Sequence, residues 1–257
     1  DKALIFVPVF TDQMKVDYRK SLPDPSLLDD DYLYLFRQPF ALQAAKRIGD
    51  LVPHDLYMEQ AADEYVFKQA AANYKILHLG THAEVNNYSP LHSRLCLAKP
   101  MYSDTSSTED GYLHTYEIYS MQLKAELAVL TACETGAGTW RNGEGVVSLA
   151  HGFMYAGCPS IVMSLWKIDE KSSSDLITEF YEQLSKGQHK ARALKAAKLK
   201  IIKSQDDRLA HPYYWAGVVL VGDTQAIFPN KARWDLVVLS LAILLLGGIF
   251  LRLNRLR

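Results

Sequence analysis

The chain has 257 residues, 49% hydrophobic and 22% charged, with a net charge of −1. That length buries one good core with room for a small appendage, and the near-neutral charge gives no electrostatic reason to expect nucleic acid as a partner. Three cysteines, at positions 96, 133 and 158, are an odd number with no close pairing, which argues against a disulfide framework and for a reducing compartment.

The first residue is Asp1 rather than Met and strand-like sequence begins at once, so a longer parent protein is expected. Ala3 to Phe10 (ALIFVPVF) reads as a buried strand ending near Pro8. Residues 11–37 are polar, acidic and proline-bearing and read as a long excursion. Ala41 to Val52 predicts a helix, with Leu42, Ala45, Ile48 and Val52 nearly on one face. His54 to Met58 is a short strand and Ala61 to Ala72 a second helix. Lys75 to Leu79 (KILHL) predicts a strand that carries His78 into the core and runs into Gly80-Thr81-His82. Residues 100–112, rich in Ser, Thr, Asp and Gly, read as a loop or hairpin tip.

Glu126 to Leu130 (ELAVL) predicts a strand running into Thr131-Ala132-Cys133. Val146 to Ala156 reads as an apolar helix and Ser160 to Leu165 as a strand. Ser172 to Leu184 predicts an amphipathic helix stopped by Gly187. Ala191 to Lys203 predicts another, whose six basic residues from Lys190 onward read as a solvated face. Trp215 to Val221 predicts the last strand. Strands alternating with helices give an α/β domain around a mostly parallel sheet flanked by helices.

The tail differs in kind. Leu236 to Leu251 (LVVLSLAILLLGGIFL) contains no charge, and its flanks are Trp234 and Asp235 before and Arg252, Arg255 and Arg257 after. With Trp234 at the interface and Arg252 snorkelling, residues 234–253 approach the roughly 20 residues that a spanning helix needs. The competing readings are a buried core helix and an amphipathic one lying on a surface. The expectation is a single-pass C-terminal transmembrane helix in a lipid bilayer, joined by a linker over 224–233. A span this near the terminus emerges only after synthesis, which favours a cytoplasmic domain.

Sites in open α/β sheets lie outside the carboxyl ends of the strands. KILHL and ELAVL each present a reactive side chain just past an apolar run, so His82 and Cys133 face each other if the two strands are neighbours. A free thiol is only a few per cent ionised at neutral pH, and an adjacent imidazole raises that fraction and shuttles the proton. The small residues around Cys133 leave backbone N–H groups free for an oxyanion hole. Cys96 and Cys158 read as buried structural thiols. Asp169 could reach the site or cap the helix that follows it. No GxGxxG or Walker loop, no paired CxxC and no HExxH occurs, so neither a nucleotide cofactor nor a metal is expected.

The stretches LGTHAEVN, LTACETGAGTWRNGEGVVSLAHGFMYAGCPSIVMSLWKIDE and HPYYWAGVVLVGD closely resemble the CHAT domain, a relative of caspases and separase. The resemblance runs from about Gln38 to Asp223, leaving residues 1–37 as a first strand and excursion before the domain. It implies a caspase-like fold and thiol endopeptidase activity on a protein or peptide substrate, with His82 and Cys133 as the catalytic pair. Members often carry helical repeats upstream, so a sensor domain of that kind is an expected partner. Ordering of the stretches 86–112 and 134–145 by such a partner is expected to set the activity. Ala83 stands where the family commonly has Gly, and its N–H, with that of Cys133, is expected to serve the oxyanion. Thr131 stands where arginine-specific relatives carry an acid, so that device for a basic P1 residue is missing. The rival readings are a non-catalytic caspase-like scaffold at the membrane and a membrane-bound hydrolase or acyltransferase of small esters or amides.

Overall fold

A computed structural model describes residues 2–101, 109–131, 139–141, 145–147, 149–204 and 206–228; of these, 139–141 and 145–147 are described by their backbone alone. In chain order the elements are β1 (Ala3–Val7), α1 (Asp12–Ser21), α2 (Asp30–Tyr34), α3 (Pro39–Leu51), β2 (His54–Met58), α4 (Glu64–Ala70), β3 (Ile76–Leu79), β4 (Ala83–Glu84), β5 (Arg94–Cys96), β6 (Tyr112–His114) and α5 (Thr115–Ser120). There follow β7 (Leu127–Leu130), β8 (Thr139–Arg141), β9 (Gly145–Val147), α6 (Leu149–Tyr155), β10 (Ser160–Ser164), α7 (Glu170–Ser185), α8 (Lys190–Ile202) and β11 (Val218–Gly222).

Six strands form the main sheet in the order β11-β10-β7-β3-β1-β2. All neighbours are parallel except β10 and β11. β1, β3 and β7 are buried along their whole length because both faces are covered, and His78 is their one polar residue. Side chains alternate between faces, so Ala3, Ile5 and Val7 of β1 pack with Ala41, Ala45 and Ile48 of α3 and with Leu176 and Phe180 of α7. Leu4 and Phe6 of the same strand pack with Phe67 of α4, Ile118 of α5 and Phe153 of α6. The result is a three-layer α/β domain of caspase-like type.

Several boundaries move for physical reasons. Residues 145–147 are a strand paired with 139–141, and the helix expected from Val146 begins only at Leu149. The paired valines there favour extended backbone. The last strand starts at Val218 rather than Trp215, because Trp215 N–H closes a 3₁₀ turn on the Pro212 carbonyl. Gly217 then lies flat under Trp166, where a Cβ would come within 2.6 Å of the indole. The 11–37 excursion folds into α1, a 3₁₀ turn at Pro25–Leu27 and α2. Thr11, Asp24 and Asp29 each cap the turn or helix that follows. Their apolar partners are a separate cluster of Phe10, Tyr18, Tyr32, Cys96 and Tyr112.

Lys99 lies at the centre of that cluster. It is 5% exposed, its Nζ sits 2.6 Å from Asp29 and donates to the Asp110 carbonyl at 2.7 Å, and it lies 3.8 Å from the Tyr112 ring centre. Arg94 stacks on Tyr112 as well, at 3.5 Å from the ring centre. Tyr112 Oη donates to Asp29 at 2.7 Å, so the excursion is fastened to the small antiparallel sheet β4-β5-β6. The run Leu236 to Leu251 lies outside the described residues. Among the described residues no helix is long and apolar enough to cross a membrane.

Candidate active site

β3 and β7 are parallel neighbours, with Leu79 opposite Leu130. Thr131 extends the pairing by donating both its N–H and its hydroxyl to the Leu79 carbonyl, each at 3.1 Å. Gly80 sits close against β1, and a side chain there would press on Val7. A Cβ there would stand 3.2 Å from Val7 Cγ2 and 3.5 Å from both Ala41 Cβ and Thr131 Oγ1. His82 therefore lies three residues past one strand end, and Cys133 three residues past the end registered with it. Cys133 itself lies outside the described residues.

His82 is half-buried. Its Nε2 lies 2.7 Å from the Phe36 carbonyl oxygen. A carbonyl can only accept, so Nε2 carries the proton and Nδ1 is the nitrogen left with a lone pair. The Phe10 ring lies against the imidazole, with centroids 5.2 Å apart. Burial pushes the His82 pKa below its ordinary value, helped by the charges of Lys167 and Lys15 and opposed by the Phe36 carbonyl and Glu84. The imidazole is thus held neutral, the form able to take a proton. An open cleft of about 370 Å³ beside it is lined by Asp31, Tyr34, Leu35, Phe36, His82 and Glu84. Tyr34 and Phe36 stand 80% and 78% exposed at its edge.

Ala83 begins β4, opposite Leu95. The Cys96 N–H donates to the His82 carbonyl at 2.9 Å, which makes 82/96 the hydrogen-bonded pair and 83/95 the next, non-bonded one. The Ala83 N–H consequently points away from β5. Ala83 is not among the residues with positive φ, so alanine sits at this position without the backbone strain that would call for glycine.

Asp169 caps α7: its Oδ1 accepts from Ser172 N–H at 2.9 Å and from Ser172 Oγ at 2.7 Å. Only its second oxygen is left to serve a substrate. Next to it, Glu170 accepts from the N–H groups of Phe40 and Ala41 at 2.9 and 3.0 Å, fastening the start of α3 to the start of α7 at the site end of the sheet. Cys96 and Cys158 are fully buried, and burial raises both thiol pKa values, that of Cys158 to about 11. His78 is buried beneath Tyr181, whose hydroxyl lies 3.4 Å from Nδ1.

A group of carboxylates also occurs away from the cleft. Oxygens of Glu64, Glu109 and Glu117 lie within 4.8 Å of one another. Lys68 Nζ fills the space among them, at 2.6, 2.5 and 2.6 Å from Glu64, Glu109 and Glu117. With three acids around one lysine, burial and the neighbouring carboxylates raise the Glu64 pKa. The cluster holds Asp110 and Gly111 in place through their N–H groups rather than presenting open ligands.

The Phe36 carbonyl is the site group that the sequence does not signal. Every residue owns a carbonyl, and only the folded excursion brings this one to His82.

Known proteins bear on this geometry. The CHAT domain family model matches residues 7–223. Tetratricopeptide repeat protein 28 of Homo sapiens is 29% identical over 120 residues, which is 47% of this chain and 5% of that protein. Its Mus musculus counterpart is 28% identical over the same shares. The chain thus matches only a twentieth of the length of these curated relatives. Among solved structures, the Arg-specific cysteine proteinase gingipain R is similar with a TM-score of 0.52, 11% identity, and coverage of 88% of this chain and 46% of that one. The separase of Saccharomyces cerevisiae in its securin complex gives 0.48, 13% identity, and coverage of 86% and 12%. At such identities the likeness concerns the fold alone, a shape shared with gingipain R. The match over residues 7–223 settles the family: this chain belongs to the CHAT domain family.

Proposed function

We propose that the domain is a cysteine endopeptidase working through Cys133 and His82. The observation that carries this reading is the register of β3 against β7, which gives His82 and Cys133 equal offsets past paired strand ends. His82 Nδ1 takes the thiol proton, and the thiolate sulfur attacks the scissile carbonyl carbon. The N–H groups of Ala83 and Cys133 stabilise the oxyanion. Collapse of the tetrahedral species breaks the C–N bond, and the His82 proton passes to the leaving amine. Water, deprotonated by His82, then cleaves the thioester and frees the carboxylic product. Asp169 is a minor candidate for substrate recognition through its uncommitted oxygen. No metal or organic cofactor takes part in these steps.

The name of the repeat-protein relatives supports an upstream helical-repeat domain as the natural context, which would raise a low basal activity. The uncharged run 236–251 supports a single-pass anchor, and the domain is proposed to stay on the cytoplasmic side. Carbonate extraction tests that part: a membrane-spanning chain stays in the pellet, and release would reduce the tail to a surface or core helix.

The experiment for the activity is labelling of the full chain with an electrophilic peptide probe, followed by a peptide-library cleavage profile. Labelling at Cys133 that requires His82 is the expected result. A probe that never reacts, whatever partner is added, would leave the caspase-like shell as a scaffold. Turnover of small thioesters without peptide cleavage would point to the acyl-transfer alternative.

A further inference from the structure

Directly behind His82 the chain holds an unfavourable conformation. Val9 and Phe10 follow β1, and both have positive φ, 68° and 56°. Glu59 is the one other non-glycine residue of this kind among the described residues. Phe10 N–H donates to the Pro8 carbonyl at 2.8 Å across Val9, closing a three-residue γ-turn of the strained hand. A β-branched residue is among those least suited to positive φ. Both side chains are fully buried, so packing imposes the turn.

Two contacts of the His82 ring depend on it. The turn presents the Phe10 ring to the imidazole at 5.2 Å between centroids, and Tyr32 backs Phe10 edge-on at 5.9 Å. The Val9 carbonyl accepts from Gln38 N–H at 3.0 Å. Gln38 is two residues after Phe36, whose carbonyl receives the His82 Nε2 proton at 2.7 Å. One turn thus fixes both the face of the imidazole and the acceptor at its edge. A ring free to tilt would leave the line of the Phe36 carbonyl, and hydrogen bonds weaken steeply with misalignment.

We propose that Phe10 is a positioning residue for His82: its ring, held by the strained turn at Val9, keeps the imidazole aligned with the Phe36 carbonyl as the Nε2–H tautomer, so that Nδ1 alone is left to accept a proton. The consequence for rate rests on the Cys133–His82 reading; the consequence for the tautomer does not.

Nitrogen-15 NMR of the imidazoles in the full chain, in detergent micelles, reads the tautomer directly. His82 of the wild type is expected as one Nε2–H form above its titration, with cross-relaxation to the Phe10 ring protons. A mixed or Nδ1–H population in the wild type overturns the proposal without any variant. Phe10→Leu keeps apolar volume but loses the flat ring. It is expected to mix the tautomers and to slow alkylation of Cys133 by iodoacetamide at neutral pH by about tenfold, while Phe10→Tyr restores both. If Phe10→Leu folds and matches the wild type in tautomer and rate, Phe10 only fills space and the proposal fails. If it does not fold, the wild-type spectrum and Phe10→Tyr still decide. Should His82→Ala alkylate like the wild type at every pH, the dyad reading falls, and the tautomer measurement still judges Phe10 separately.

Discussion

His78 and His82 stand four residues apart on one stretch of chain and meet opposite fates. His78 lies inside β3, 2% exposed beneath Tyr181, with no charged partner; burial alone pushes its pKa down to about 4. His82 lies past the strand end, half-buried, with a carbonyl at one nitrogen, an aromatic ring on its face and an open cleft beside it. The residue type is the same, and so is the direction of the pKa shift. What differs is access. An imidazole sealed in a core can only be neutral filler, whereas one held neutral at a cleft with a free lone pair can do proton chemistry. The cysteines divide in the same way by residue position: Cys96 and Cys158 are sealed, and Cys133 follows a strand end.

The strongest way to break this comparison is to remove the proposed pair. Cys133→Ala is expected to abolish peptide cleavage, and His82→Ala to cost about 10²–10⁴ in rate. The double variant should be little worse than either alone, because the two groups act as a unit; additive losses in a cleavage assay would separate them. The His82→Ala activity should partly recover at high pH, where the thiol ionises unaided. In the wild type, labelling of Cys133 should persist below neutrality and fail only as pH drops through the depressed pKa of His82. An acid limb above the ordinary histidine value would contradict the burial argument.

Ala83→Pro deletes the outward N–H without touching the ladder bonds of β4, and should cost about 10²–10³ in kcat. Ala83→Gly should be close to neutral, and equal effects from both would remove Ala83 from the oxyanion site. On the structural side, Lys99→Met leaves Asp29 without its cation, while Arg94 stays on Tyr112, and should destabilise by about 3 kcal/mol in a urea titration. Loss of His82 labelling dependence at temperatures where that variant stays folded would show that the excursion positions the site.

His78 gives the opposite pH effect from a binding histidine. Its folded pKa of about 4 lies below the ordinary histidine value of 6.5. Between those values the unfolded chain binds the proton and the folded one does not, so stability falls as pH drops from 6.5 towards 4, by about 3 kcal/mol at most. His78→Gln should flatten that slope in acid unfolding while leaving Cys133 labelling intact. The smallest effect belongs to Cys158→Ala, a loss of about 1 kcal/mol from its buried volume with no change in labelling.

Much of this was legible because strand ends announce themselves. Most of the six sheet strands are mainly apolar runs, and two stop at small residues followed by His82 or Cys133. The pairing of those two strands was a condition the sequence raised and the register β3–β7 meets. The excursion was not legible: α2 has five residues and α1 carries little apolar periodicity, so their helicity comes from capping and from packing on Phe10, Tyr32 and Tyr112. The left-handed turn at Val9 was hidden for the opposite reason. Glycine or asparagine advertises positive φ, and valine does not. Asp169 was ambiguous between cap and site, and its oxygen on Ser172 gives the cap a concrete role.

The one antiparallel strand has a consequence for traffic around the molecule. β11 runs back along β10, from Val218 opposite Ser164 to Gly222 opposite Ser160, and Lys190 N–H then holds Thr224. The chain thereby returns to the amino end of the sheet, where β1 also starts, while His82 stands at the carboxyl end. The entry to β1 and the exit from β11 therefore both lie at the end of the sheet opposite His82, so the described domain takes in and gives back its chain on one side and holds the imidazole on the other.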